Sequence, residues 1–419
     1  MFSYLKIDLE ELEDFAEFRL EVTDLLEQCY DADPLGSVST VCTALLTEIQ
    51  KINFNLHVIE ALFFLLIGFA DAIPKSSREI ACVWTGQVFA VLELIQDKEA
   101  ISTILKCILR FAEWFETNPE ALPIVFGFAI SKLKDSPKMG TSCLLELSNV
   151  CRVHLAVYPE SVHCCMSLLD KIPEIYRGSL MQSISYIINA LSYHEAVPRL
   201  AEIIYQIIGQ IGVMIDTLNR NGILLNLNYL LSCFKGSKTV EIESCYEPAP
   251  EIFQLAIIVT QSFARILFVL PHDTECAELV SQCIVQHQEN CSYFIDCRLA
   301  CELIVLQFEK CNAGCWIACA ASLLNQEEMS IELSQVPQFE MFTRLFTHYL
   351  CLPADWLESN PEVTPEFMIF LTRSMNSRPS FWDSLTPHEI SFLTISLPIS
   401  LQSANSLICI SAHTFTVFL

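Results

Sequence analysis

Apolar residues return every three or four positions along most of this chain. Ile204, Ile207, Ile208, Ile211, Ile215 and Leu218 form one such row, and Val58, Leu62, Leu65, Phe69 and Ala72 form another. Both rows predict helices with a single buried face. In the first helix, residues 15–30, the pattern puts Phe15, Phe18, Val22, Leu25 and Leu26 inside and Glu17, Glu21 and Asp24 in water. Alternate helices are predicted to start near residues 54, 98, 137, 178 and 221, with the helices between them near 77, 121, 159 and 196. The repeat is about 40 residues, the period of HEAT and armadillo helix pairs. The predicted fold class is all-α: a HEAT/armadillo-like α-solenoid, a superhelix of antiparallel helix pairs. It is expected to run through residues 1–419 as one array of about 8–10 repeats.

The breaks between helices carry suitable chemistry. Asn118-Pro119 ends one helix and lets proline open the next turn, and Asp135-Ser136-Pro137 offers a cap followed by an early proline. Pro34-Leu35-Gly36, Pro271-His272-Asp273 and Ser377-Arg378-Pro379 read the same way, and residues 235–250 read as a longer inter-repeat loop. The last ten residues, ISAHTFTVFL, stop inside an apolar segment where a solenoid should present a polar capping repeat. The C-terminal end is therefore expected to be truncated.

Composition narrows the picture. Only 11 glycines leave few turn residues for an all-β fold, while 52% hydrophobic residues supply a continuous core. Fifty acids against 24 Lys and Arg give a net charge of −26, which repels nucleic-acid phosphates and favours basic protein partners. The 20 cysteines fall at irregular spacings on apolar faces, without a signal peptide, and read as reduced core thiols of a cytosolic or nuclear protein. The apolar run Ala61–Ala70 is too short to span a membrane, and the uncharged stretch after Glu389 is broken by Pro398; it reads as further solenoid helices. No membrane insertion is expected.

Candidate chemistry is sparse. Cys311, Cys315 and Cys319 fall at i, i+4 and i+8, one stripe of a helix, with Cys297 and Cys301 just upstream. Zinc sites instead pair ligands at short loop spacings, so this reads as a core stripe and not a metal site. His163-Cys164-Cys165, and His154 near Cys151, place an imidazole beside a thiol but lack an orienting carboxylate in a recognisable frame. Gly209-Gln210-Ile211-Gly212 follows no strand, which excludes a phosphate loop. No enzyme activity, cofactor or metal is expected.

Several segments together resemble a known family. Phe15-Ala16-Glu17-Phe18-Arg19, with Val22, Asp24 and Leu25, is similar to the "F-x-x-F-R-x-x-V-x-D-L" helix of the importin-β (karyopherin-β) superfamily of nuclear transport receptors. Val58-Ile59-Glu60-Ala61-Leu62-Phe63 resembles its "V-x-E-A-x-L-F" helix, Asn118-Pro119 its "N-P" break, and Val150-Cys151-Arg152-Val153-His154 its "V-C-R-x-H" segment. Their order and spacing resemble the transportin-SR/importin-13 subgroup over about residues 13–380.

The resemblance implies a middle-to-late fragment of a receptor about twice this length, one that carries protein cargo through nuclear pores, most simply inward, under Ran control. It implies nucleoporins as partners, shuttling between cytoplasm and nucleus, and Ran-gripping N-terminal repeats outside this sequence. Transportin-SR relatives carry several arginines on a late helix that bind phosphorylated Arg-Ser tails. Here residues 253–270 offer only Arg265, the one candidate cargo-binding residue, and residues 251–351 hold just Arg265, Arg298, Lys310 and Arg344. One guanidinium does not make a phosphate cluster, so the acidity points to a basic cargo surface. Arg19 and Arg152 read as ties between helices, and Glu60 as the partner of a neighbour. The alternative reading is a HEAT-repeat scaffold held in a stable complex without shuttling.

Overall fold

The computed structural model describes residues 9–237, 249–291, 293–324, 337–353, 356, 360, 363–377 and 386–387. Among the described residues there are α-helices and 3-10 turns and no strand, as the period requires. Packing divides the chain into two compact units, Met1–Ser192 and Tyr193–Leu419.

The first unit contains α1 (Leu9–Ala32), α2 (Pro34–Ile49), α3 (Leu56–Phe69), α4 (Gly86–Leu92), α5 (Lys98–Arg110), α6 (Ala112–Thr117), α7 (Leu122–Ser131), α8 (Pro137–Val150), α9 (Arg152–Ala156), α10 (Pro159–Met166) and α11 (Glu174–Asn189). Helices α1, α3, α5, α8 and α11 pack one after another in a single layer. The opposing layer, from α2 through α4 and α7, is broken into short helices and 3-10 turns. Helix α5 shows how the sequence builds a layer. Asp97 caps it by accepting from the amides of Glu99 (3.1 Å) and Ala100 (2.9 Å), and Ala100, Ile101, Ile104, Leu105 and Ile108 are buried at the expected steps. Between the layers Trp84 contacts Phe63, Phe89, Phe111 and Phe115, with ring centroids 5.0–6.5 Å apart.

The second unit contains α12 (Tyr193–Asp216), α13 (Arg220–Gly236), α14 (Pro250–Val269), α15 (Thr274–Asn290), α16 (Cys297–Cys311), α17 (Gly314–Leu323), α18 (Pro337–Leu350) and α19 (Thr364–Ser377). Its two layers are complete helices: α12, α14, α16 and α18 in one, α13, α15, α17 and α19 in the other. Asn219, Asp273 and Asp296 cap α13, α15 and α16 with their side chains. Helix α14 is, among the described residues, long and apolar enough to cross a membrane by length and composition. Here Ile252, Leu255, Val259, Phe263 and Ile266 are buried and the helix packs between α12 and α16, as core helices of helical arrays do.

Polar ties cross from repeat to repeat at the repeat length. Arg19 bonds both oxygens of Glu60 (2.8 and 2.9 Å), and Thr103 donates to Glu60 as well (2.7 Å), joining α1, α3 and α5. Asn118 donates to the Lys75 carbonyl (3.0 Å), the Cys151 thiol to the Ala112 carbonyl (3.3 Å), and the buried Lys132 to the carbonyls of Glu93 and Ile95 (2.9 and 3.0 Å). Four residues that carried the family resemblance (Arg19, Glu60, Asn118 and Cys151) are thus cross-repeat ties.

The structure corrects several expectations. On α3 the buried row is Ile59, Leu62, Phe63, Leu66 and Phe69; of the predicted row Leu62 and Phe69 are buried, Leu65 is half-buried, Val58 is exposed and Ala72 lies past the helix end. This helix is apolar nearly all round, so periodicity alone does not choose its face. On α1, Phe18 is 57% exposed and Leu25 is exposed too, while Glu21 and Asp24 face water as expected. The side chains of Phe15 and Glu17 lie outside the described set. Leu218 is also exposed, with φ 54°, because α12 ends at Asp216 and the row leaves the helix. Ser136 makes no side-chain cap on α8, whose first residue is Pro137. The predicted loop 235–250 begins later than expected, since Lys235 and Gly236 belong to α13; residues 238–248, Arg378-Pro379 and the stretch after Glu389 lie outside the described residues.

Candidate binding surface

Two of the grooves among the described residues differ in chemistry. In the first unit, Asp71, Lys75, Arg110, Glu113 and Trp114 line a cavity of about 300 Å³. Arg110 pairs with Asp71, Lys75 pairs with Glu113 at 2.6 Å, and the Trp114 indole donates to the Ser77 carbonyl at 2.7 Å. Four charged groups of this groove are thus paired with one another.

The second unit is different. Helices α12, α14 and α16 leave a groove of about 540 Å³ lined by Ile215, Asp216, Arg265, Phe268, Leu306 and Lys310, among others. Helix α14 is apolar on more sides than its neighbours can cover, so Phe253 and Phe268 remain outside, the latter 82% exposed. Leu306 of α16, with Val213 and Tyr205 of α12, extends the exposed apolar surface along this layer. Exposed apolar surface of this kind, rimmed by charge, marks interaction sites.

Arg265 stands at the rim of this groove. It donates to Asp216 across α12 and α14 at 3.1 Å, with both side chains more than half exposed. Arg298 pairs with Glu302 at 3.6 Å and Arg344 with Glu309 at 2.9 Å, whereas Lys310 is exposed on the groove wall. The four basic residues of 251–351 are therefore dispersed and mostly paired within the protein. They form no anion cradle among the described residues.

The thiol candidates separate. Helix α16 ends at Cys311, Asn312 takes the left-handed conformation (φ 52°), and α17 begins at Gly314. Cys311 therefore does not share a helix with Cys315 and Cys319, which corrects the expected single stripe; Asn tolerates this conformation and stops the helix there. Cys311 is exposed, Cys319 is buried and donates to the Ser281 carbonyl (3.1 Å). No three His, Cys, Asp or Glu side chains converge to hold a metal ion among the described residues. Burial pushes Cys151 and Cys165 up to about 12, so neither carries a useful thiolate fraction beside its histidine. Gly209 and Gly212 lie inside α12. The groove itself was missed in the sequence, because which apolar residues remain uncovered depends on neighbouring helices about 50 residues away along the chain.

No family model matches the sequence, and no curated protein does. Among solved structures, importin-13 in its cytosolic state superposes with a TM-score of 0.78 at 16% identity, covering 100% of this chain and 48% of that one. The chain spans about half the length of that structure. An engineered protein aligns over 98% of this chain and 95% of its own at 13% identity, with a TM-score of 0.41, too low to bear on the fold. The first match, together with the two-layered helix arrays, establishes an all-α, HEAT-like solenoid fold.

Proposed function

We propose that this chain is the binding portion of a nuclear transport receptor, a non-enzymatic carrier of protein cargo of the transportin-SR/importin-13 kind. The observation that carries the reading is the match to importin-13 along the whole chain, at a TM-score of 0.78. The net charge of −26 supports a basic protein as cargo, because opposite charge steers encounter and suppresses nucleic-acid binding. The exposed groove of α12, α14 and α16 gives such a partner an apolar anchor, with Arg265 at its rim as a specificity contact. In this reading the chain works in cytoplasm and nucleus, meets nucleoporins in transit, acts mainly in import, and answers to Ran. It takes part as a stretch of repeats from a single solenoid.

The test uses permeabilised cells supplied with the fluorescent chain, a labelled basic nuclear protein and Ran with GTP. Nuclear-rim staining and cargo accumulation that require the chain are expected. Cargo binding with neither rim staining nor cargo accumulation would overturn the transport reading in favour of a static HEAT scaffold.

A further inference from the structure

The segment Asp296-Cys297-Arg298-Leu299-Ala300-Cys301 opens α16, and it sets one thiol apart from the others. Asp296 is occupied as the helix cap, accepting from the Leu299 amide at 2.8 Å, and Cys297 is the first residue of the helix. The side-chain amide of Gln338, from α18, donates to the Cys297 sulfur at 3.1 Å. Cys301 lies one turn further along the same helix, and its thiol favours the ionised form of the Cys297 sulfur. By contrast, Cys82, Cys151, Cys283, Cys311 and Cys319 each point their thiol at a backbone carbonyl as donors. Cys297 is an acceptor.

A neutral thiol accepts weakly, whereas two donors and the amides of a helix N-terminus suit a thiolate. The Cys301 and Gln338 donors hold Cys297 below the ordinary thiol value, against burial and the Asp296 carboxylate, and the same contact pushes Cys301 up. Glu302, also on α16, adds to the negative field at Cys301. A second observation concerns the other end of the Gln338 carboxamide. Gln338 is only 8% exposed, and its amide oxygen accepts no hydrogen bond among the described residues. That oxygen lies on the carboxamide already bonded to Cys297, and it needs a donor.

We propose that Cys297 is a modification site: hydrogen peroxide oxidises its thiolate to a sulfenic acid, whose new hydroxyl donates to the Gln338 oxygen. The sulfur attacks one peroxide oxygen, the O–O bond breaks and an S–O bond forms. Sulfur gives up two electrons, and the second oxygen leaves as hydroxide, which is neutralised by the proton the thiol released to solvent on ionising. Cys297 is partly exposed, which gives a small oxidant access that Cys301 lacks. Gln338 and Cys301 are positioning residues for this step.

The test treats the intact chain with hydrogen peroxide and the sulfenic-acid trap dimedone, and follows each cysteine by peptide mass spectrometry. Cys297 is expected to label about tenfold faster than the more exposed Cys311, because donors to its sulfur favour the reactive thiolate. Gln338→Met keeps the side chain's volume but removes the donor, and should slow Cys297 about tenfold while leaving Cys311 unchanged. Buried Cys107 and Cys143 report folding in the same digest. If they label in that variant, Cys301→Ala removes the other donor and should give the same slowing. Cys297 labelling no faster than Cys311, or a rate indifferent to loss of its donors in a folded variant, overturns the proposal.

Discussion

The two grooves teach what distinguishes the two units. In the first, Arg110, Asp71, Lys75 and Glu113 neutralise one another, and the polar ties between repeats run through conserved-length steps of 37 to 43 residues. In the second, the ties across α12 to α15 stretch to between 49 and 56 residues, because helices are longer and α13 and α14 are separated by residues 237–249. Longer helices present more surface than their neighbours cover, and Phe253, Phe268 and Leu306 are what remains. The first unit pairs the charges of its groove with one another, while the second leaves an apolar groove between its helices.

The comparison is broken most severely through the first unit's core. Trp84→Ala removes a ring packed against four phenylalanines and is expected to cost about 3–5 kcal/mol. Because repeat arrays are stabilised by near neighbours, urea unfolding should split into two transitions, the lower belonging to the first unit. One shared transition, shifted as a whole, would contradict the division. Acid should strike the second unit instead. His287 is buried, accepts from the amides of Phe294 (2.7 Å) and Ile295 (3.1 Å), and is pushed by burial down to about 3. Between its unfolded value near 6.5 and about 3, only the unfolded state binds this proton, so the stabilisation is complete above 6.5 and is lost as pH falls. The loss between pH 7 and pH 4 should be about 3 kcal/mol, and it should shrink in His287→Gln, read by urea titration at both pH values.

Smaller effects sharpen the same contrast. Glu60→Ala removes the acceptor shared by Arg19 and Thr103 and should cost about 1–2 kcal/mol, measured as a shift of the first transition. Arg265→Ala breaks only an exposed pair and should move stability by less than about 0.5 kcal/mol. If Arg265 contacts cargo, the same variant still changes partner affinity, so stability and binding separate in one protein.

Much of the fold was legible in the sequence, because the 3.6-residue period and the repeat of about 40 residues are local and redundant. The starts near 98, 137 and 221 fall on α5, α8 and α13, at Lys98, Pro137 and Arg220. Faces were less legible. Helix α3 is apolar enough for two rows to look alike, and Phe18, Leu25 and Leu218 are uncovered by neighbours that periodicity does not report. That Arg19 ties helices and that Glu60 pairs with a neighbour was legible from the motif residues; that they pair with each other was not. The Gln338–Cys297 bond was not, because its partners lie 41 residues apart and no single-helix pattern joins them.

Affinity for a basic partner as a function of salt tests the central claim most directly. The chain is titrated with a lysine-rich nuclear protein at 50 and 200 mM salt, alongside the same titration with Phe268→Asp. Binding should weaken by about tenfold or more with added salt, since screening shortens the reach of the acidic surface. Phe268→Asp should weaken it further at both salt levels if the groove of α12, α14 and α16 is the anchor. Binding that is absent, or indifferent to both salt and Phe268, would contradict an acidic carrier of basic cargo.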